Sequence, residues 1–296
     1  VDVEFGTGAL KITPGHDFND YEIGLTHDLE MISVIDLDGK MNKNAPDVEG
    51  MTADDAREKT AQILEEKGLM EKVDYKYKNN VLVDYKDEKP IEPMLLPNWF
   101  VKMEDLAKET ATAIKEEKVK FNQETWKKES LRWLENIKDW PISRQIVFGI
   151  KIPAWYDVEK NPDIYVLFLD KDGNSHEGKI SELLKDHDLE EIESGLQKLI
   201  APLEAKFEVS GEKPGKNYIQ ETDTFDTWFS SGQWPLTTLN YPDGEDFKKF
   251  FPTTFMDSMW DILFFWIARM IMFSLYLAGD VPYKNVFIHG RLNDEQ

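Results

Sequence analysis

Residues 262–278, ILFFWIARMIMFSLYLA, are apolar on every face of a helix, and this run narrows the possible folds more than any other stretch of the chain. A helix with no polar stripe is either buried in a large core or crosses a membrane. The run falls short of the roughly 20 residues that a bilayer requires, and Arg269 stands in its middle. It is therefore expected to be a core helix. A β-type run at 284–289 follows it and closes at Gly290. Strand-like and helical segments alternate around this helix, which predicts an α/β fold with a parallel sheet covered by helices.

The rest of the chain supplies the layers. Two short β-type runs lie at 9–13 and 31–35, the second ending at the turn Asp36-Leu37-Asp38-Gly39. Residues 52–67 read as a helix, with Thr52 and Asp55 as a capping pair and Gly68 as its stop. Strand-like runs return at 73–77, 80–85 and 98–103, and helices are expected over 106–117 and 124–137. Past a soft boundary near residue 138, the runs 146–152 and 165–169 are strand-like, 178–206 is acidic and helix-prone, and 218–240 is aromatic and turn-rich. The 296 residues are enough for two domains.

A net charge of −22 argues against a general nucleic-acid-binding surface, because affinity for polyanions comes largely from Lys and Arg. A local basic groove stays open at Lys115, Lys118, Lys120, Lys127 and Lys128, which serve equally as a solvated face. Without cysteine there is no disulfide and no thiolate metal site, which suits a reducing compartment. His16, His27, His176 and His187 lack metal-ligand spacing, so no metal is assigned. No basic stretch followed by an apolar one opens the sequence, so no secretion signal is expected.

One corner could carry chemistry. The turn Gly6-Thr7-Gly8 leads into 9–13, and Pro14-Gly15 turns the chain into a helix that begins with Asp17 and Asp20. This places Lys11, Thr13, Asp17 and Asp20 around one strand-to-helix corner, where a polar ligand could be held. Asp17 is equally a natural N-cap with Asp20 as its capping-box partner, and carboxylates in a first turn suit the helix dipole without any ligand. Spacing alone leaves both readings open.

Three segments, taken together, resemble the class I aminoacyl-tRNA synthetases of the valine, isoleucine and leucine group, the valine enzymes most closely. The first is HDFNDYE at 16–22, similar to their editing-site motif. The second is DWPISRQIVFGIKIPAWY at 139–156, similar to the stretch that re-enters their nucleotide-binding domain. The third joins DTFDTWFSSGQWP at 223–235 to PTTFMDSMWDILFFWIARMIM and VFIHGRLNDEQ. They occur in the family's order across most of the chain. The resemblance implies part of a β-rich editing (CP1-type) domain over 1–137 and the second half of a Rossmann-type catalytic domain over 138–296, the latter with an acidic helical insert at about 157–217.

The resemblance also implies roles. In an editing pocket Asp20 would pair with the α-amino group of a misattached amino acid, while Lys11, Thr13 and Asp17 contact the terminal adenosine and acyl group of tRNA. In a synthetic site Trp228, Ile262 and Trp266 would line the amino-acid pocket, Asp261 would contact the aminoacyl-adenylate, and His289 and Gly290 would approach its adenosine. An apolar pocket rejects a hydroxyl isostere such as threonine by only about a hundredfold, so a second, hydrolytic site is needed. ATP with its magnesium, valine and tRNA are the implied substrates, in a cytoplasmic monomer with no membrane. Where many relatives carry Cys pairs for zinc the acidic insert stands, and no zinc is expected; Met259 replaces a family Gly.

The adenylate-binding signatures His-Ile-Gly-His and Lys-Met-Ser-Lys-Ser are both absent. The expectation is an internal stretch of a longer enzyme that does not aminoacylate alone. The alternatives are a free-standing deacylase of mischarged tRNA, an isoleucine-specific relative, or a non-catalytic binding module. A free hydrolase has little use for DTWFSS, the isoleucine motif usually has Gly at the place of Asp17, and a binding module predicts exposed Trp residues.

Overall fold

The computed structural model describes residues 4, 8–78, 80–84 and 87–291, which divide into two units, Val1–Leu96 and Pro97–Gln296. Gly6, Thr7, Asn79, Tyr85 and the segment 292–296, on which several expectations above rest, lie outside the described residues.

In the first unit, helix α1 (Phe18–His27) starts at Asp17, whose Oδ1 accepts from the N–H groups of Asn19 and Asp20 at 2.9 Å. It stops where Asp28 takes a left-handed conformation, φ 51°. Helix α2 (Ala53–Glu66) starts at Thr52, whose hydroxyl accepts from the Asp55 N–H and donates to the Asp55 carboxylate at 2.8 Å. The strands expected at 9–13, 31–35, 73–77 and 80–85 are a correction. Among the described residues of this unit, pairing is confined to isolated bridges, Ile35 with Met41, Lys40 with Thr52 and Val83 with Pro90. Strand propensity is realised only where a partner ladder and a buried face exist; the later two runs face water, with Tyr75 93% exposed and Val81 59%, and in 31–35 Ile35 is buried but pairs only through a single bridge.

The second unit opens with β1 (Phe100–Val101), α3 (Glu104–Lys115), β2 (Lys120–Phe121) and α4 (Glu124–Glu135). Next come β3 (Trp140–Pro141), antiparallel to β1, and β4 (Ser143–Arg144). The middle holds β5 (Ala154–Asp157), β6 (Tyr165–Leu169), β7 (Ser175–Lys179), α5 (Ile180–Leu183), α6 (Leu189–Gly195), β8 (Leu196–Ile200), β9 (Phe207–Val209) and β10 (Tyr218–Gln220). The last part is β11 (Thr224–Phe225), α7 (Thr227–Ser231), α8 (Trp234–Thr237), α9 (Glu245–Phe250), β12 (Thr253–Met259), α10 (Ala268–Ala278) and β13 (Tyr283–His289).

Strands β12, β13 and β2 form an all-parallel sheet in that order, with Met259 opposite His289 at one end. Asn122 extends β2: its side-chain oxygen accepts from the Ile288 N–H at 3.1 Å, and its amide donates to the Ile288 carbonyl at 3.3 Å. The apolar run connects β12 to β13, as a parallel pair requires a crossover. It begins as a tight turn at Trp260–Ile262, widens to π geometry at Leu263–Ile267 and continues as α10. Met270 and Ile271 are completely buried, beside Val286 and Ile288 of β13 in one core. The segment Trp260–Ala278 is long and apolar enough to cross a membrane by composition, yet here it is a core helix of the sheet.

Two expectations for this unit differ from what is observed. The unit itself begins at Pro97: α3 and α4 pack together, α3 lies on α10, and β2 joins the parallel sheet. The run 146–152 is no strand; Val147 and Phe148 are almost fully exposed, and only Lys151 bridges, to Thr224. The acidic insert is mainly β-sheet: β7-β6-β8 is antiparallel, and its helices are the short α5 and α6. Residues 196–200 are drawn into a strand because β6 has an open edge and Leu199 reaches the core of Val166, Phe168, Ile180 and Ile192. His176 and His187, eleven positions apart in sequence, meet over Phe168 with ring centres 4.6 Å apart, each bonded to a carboxylate, Asp170 and Glu191.

Candidate functional site

At the corner of the first unit all four expected residues come together. The Asp20 Oδ2 accepts from the Thr13 N–H at 2.7 Å and from the Thr13 hydroxyl at 3.2 Å, while Lys11 Nζ donates to that hydroxyl at 3.1 Å. Asp17 caps α1 and bonds the N–H of Asp20. The capping reading therefore holds for Asp17, but Asp20 completes no capping box; it clips the approaching chain at Thr13. The turn itself is fixed from outside. A Cβ on Gly15 would stand 2.2 Å from the Ile32 carbonyl oxygen, so a larger residue there forces the backbone apart. His16 bridges the same region, with Nδ1 2.7 Å from the Pro93 carbonyl and Nε2 accepting from the Val34 N–H at 2.8 Å. Facing a carbonyl on one side and an N–H on the other, the ring carries its proton on Nδ1.

The second group lies at the carboxyl ends of the parallel strands, the usual place for ligands in such sheets. Asp261 and Ile262 follow β12, and His289 and Gly290 end β13. Asp261 is exposed and His289 half-buried, its Nδ1 2.8 Å from the Gly290 carbonyl. Among the described residues no bond joins Asp261 to His289. Trp228, on α7, stacks on Phe265 with centres 5.9 Å apart. Trp266 donates its indole N–H to the Ser231 carbonyl at 3.0 Å and meets Trp234 edge-on at 6.5 Å. The π turn, a geometry often found at functional positions, sets Phe265 and Trp266 against α7.

The sequence pattern of tRNA synthetases class I (I, L, M and V) matches residues 34–296. The chain belongs to the class I tRNA synthetases. Valine–tRNA ligase of Coxiella burnetii is 41% identical over 298 residues, that of Schizosaccharomyces pombe 40% over 302 and that of Bacillus subtilis 39% over 300. Each match covers 100% of this chain, which spans only 28–29% of the length of these relatives. Among solved structures, Mycobacterium tuberculosis methionyl-tRNA synthetase bound by methionyl-adenylate overlaps 73% of this chain and 30% of its own at TM-score 0.41 and 14% identity, a likeness too slight to fix a fold.

Sequence reasoning missed a buried polar frame that leads up to α7 in this class I synthetase chain. Glu221, Asp223 and Asp226 are all buried. Glu221 Oε2 accepts from the indole N–H of Trp99 and the hydroxyl of Tyr156, both at 3.1 Å, and its Oε1 accepts from the N–H groups of Thr222 and Asp223. Asp223 accepts from the Gln145 amide at 2.6 Å. Asp226 accepts from Trp140 Nε1 at 2.8 Å, pairs with Arg144 at 3.0 Å and caps α7 through the Trp228 N–H. The signal was present as Glu221 and Asp223 at a spacing of two, one face of an extended segment, opposite the polar Ser143-Arg144-Gln145.

Burial, and then the Glu221 charge beside it, push the Asp223 carboxyl above the usual carboxylate range. Burial, followed by the same charge, also raises the Tyr156 phenol. A carboxyl raised on folding binds its proton more tightly in the native chain, so its contribution to stability falls as pH rises from the unfolded value, about 3.9, through the native one. Asp223→Asn keeps an acceptor for Gln145 and removes the charge. It is expected to match or exceed the parent's melting temperature at pH 7, with the difference shrinking as pH falls below 4; thermal melts across that range check it, and a variant less stable at pH 7 than at pH 4 relative to the parent opposes it.

Proposed function

We propose that this chain is part of a valine-specific class I synthetase, an enzyme that joins valine to its tRNA using ATP and hydrolyses threonyl-tRNA formed in error. The observation that carries the reading is the aromatic group of Trp228, Phe265 and Trp266 beside the carboxyl ends of parallel strands, in a chain similar over its whole length to valine–tRNA ligases. In this reading Trp228, Ile262 and Trp266 enclose the amino-acid side chain, Asp261 meets the aminoacyl-adenylate, and His289 and Gly290 meet its adenosine. The rigid rings exclude larger side chains but separate threonine from valine poorly. The corner of Lys11, Thr13, Asp17 and Asp20 then supplies the correction: an anion for the substrate ammonium and hydroxyl and ammonium donors for the ester end. In this reading the editing portion lies within residues 1–137 and includes the corner, and the Rossmann-type half-domain lies within 138–296, which the parallel pairing of β12 with β13 supports.

Adenylation depends on charges fixed around the phosphates, and the two signatures that carry them in this family are absent from the sequence. The chain alone is therefore expected to give no valine-dependent ATP–pyrophosphate exchange above a heat-killed control. Placed in the Bacillus subtilis valine–tRNA ligase in exchange for the matching stretch, it is expected to support that exchange, and Trp266→Ala in the chimera is expected to raise the KM for valine. A folded chimera without exchange, judged by circular dichroism, overturns the reading.

A further inference from the structure

A cavity of about 550 Å³ opens between α3 and α10, walled by Leu106, Trp140, Phe229, Met272 and Phe273 with Arg269 among them. Its size falls within the range of about 300–1,000 Å³ usual for small-molecule sites. None of Trp228, Asp261, Ile262, Trp266 and His289 lines it, so it is distinct from the site assigned to valine. Its one unusual wall is Arg269, only 7% exposed in the middle of the apolar helix.

That guanidinium is poorly served. Among the described residues its Nε has no partner, and Nη1 reaches only the Phe265 carbonyl, at the 3.5 Å limit of a hydrogen bond. Its carbon centre lies 3.6 Å from the middle of the Trp140 ring, a cation–π contact that offers no acceptor. The neighbouring carboxylate, Asp226, is committed to Trp140 and Arg144. Burial lowers the guanidinium pKa to about 10 against the pull of Asp226. A buried cation short of acceptors is costly, and a carboxylate supplies two in the fork geometry that arginine favours.

We propose that this cavity binds a small apolar carboxylic acid, its hydrocarbon body between Phe229, Met272 and Phe273 and its carboxylate on the Arg269 guanidinium. The inference does not depend on the synthetase reading. Lys102, Asp105 and Glu109, also lining the cavity, are exposed at its rim; water and salt screen all three, so the buried Arg269 is the charge an inward carboxylate meets.

The test compares 2-naphthoate with 2-naphthamide, the same body without the charge, binding to the full chain by titration calorimetry and by quenching of tryptophan fluorescence. The acid is expected to bind one to one and at least tenfold tighter than the amide. Leu106→Trp, which fills the cavity from its half-buried wall, is expected to abolish binding of both while the chain stays folded by circular dichroism. Arg269→Gln, where it folds, is expected to keep amide binding and lose the preference for the acid. Equal affinity of acid and amide, no binding of either, or undiminished binding to Leu106→Trp each overturns the proposal, and the Leu106 variant decides the matter if Arg269→Gln does not fold.

Discussion

Asp226→Ala is expected to destabilise the second unit by about 2–3 kcal/mol, the order of a lost helix cap together with a stranded buried donor. The carboxylate is 6% exposed and serves three groups at once: the Trp140 indole, the Arg144 guanidinium and the first turn of α7. Removing an N-cap costs about 1 kcal/mol, and a stranded buried donor such as the Trp140 N–H about 1–3 kcal/mol. These losses belong to one network and do not simply add. The Asp226 charge also favours the Arg269 cation against burial, so its removal leaves that cation worse placed. Asp226→Asn keeps an acceptor for the indole and the cap but not the charge, and is expected to fall between Ala and the parent. Urea unfolding measures the series; a loss under about 1 kcal/mol for Ala, the size of an exposed cap alone, would show that the network holds nothing. Because α7 carries Trp228, the same variant is expected to disturb the aromatic group before the chain unfolds.

What the sequence disclosed and what it hid follow from the range of the interactions. The apolar crossover and its strand were legible because burial on all sides leaves a continuous apolar run, independent of what covers it. The caps at Asp17 and Thr52 were legible because donor and acceptor lie within three residues of each other. Helices α3 and α4 were placed to within two residues at each end. The frame around Glu221 was hidden because its partner Trp99 stands 122 positions away and Tyr156 stands 65 away. No local pattern specifies such a meeting. The strand expected at 146–152 failed for the opposite reason: its apolar residues read as a buried ladder, but among the described residues nothing covers Val147 and Phe148. At the first corner the four residues expected there do lie together, and of the two readings left open for Asp20 the capping box is not formed: its carboxylate reaches seven residues back to Thr13. That bond changes how the site must be tested.

In a full-length enzyme containing this segment, Asp20→Ala is expected to slow deacylation of threonyl-tRNA at least thirtyfold while valine activation stays near normal. If Asp20 holds the substrate ammonium, truncating one side of a charge-assisted contact costs about 2–5 kcal/mol, and the lower end of that range is already the thirtyfold loss. The Ala variant alone is ambiguous, since it also strands the Thr13 N–H and hydroxyl that Asp20 Oδ2 receives at 2.7 and 3.2 Å. Losing those bonds frees the segment entering the corner, which slows hydrolysis without any role in binding. Asp20→Asn separates the two. Its amide oxygen takes over both bonds from Thr13, so the melting temperature and the corner are expected to be retained, but it presents no negative charge to an ammonium. An electrostatic role predicts that Asn and Ala lose deacylation alike, with Asn as stable as the parent. A purely structural role predicts that Asn restores deacylation along with stability. Melting temperature and single-turnover deacylation on the same three proteins give the answer, and restoration of activity by Asn removes Asp20, and with it the ammonium site, from the editing reading.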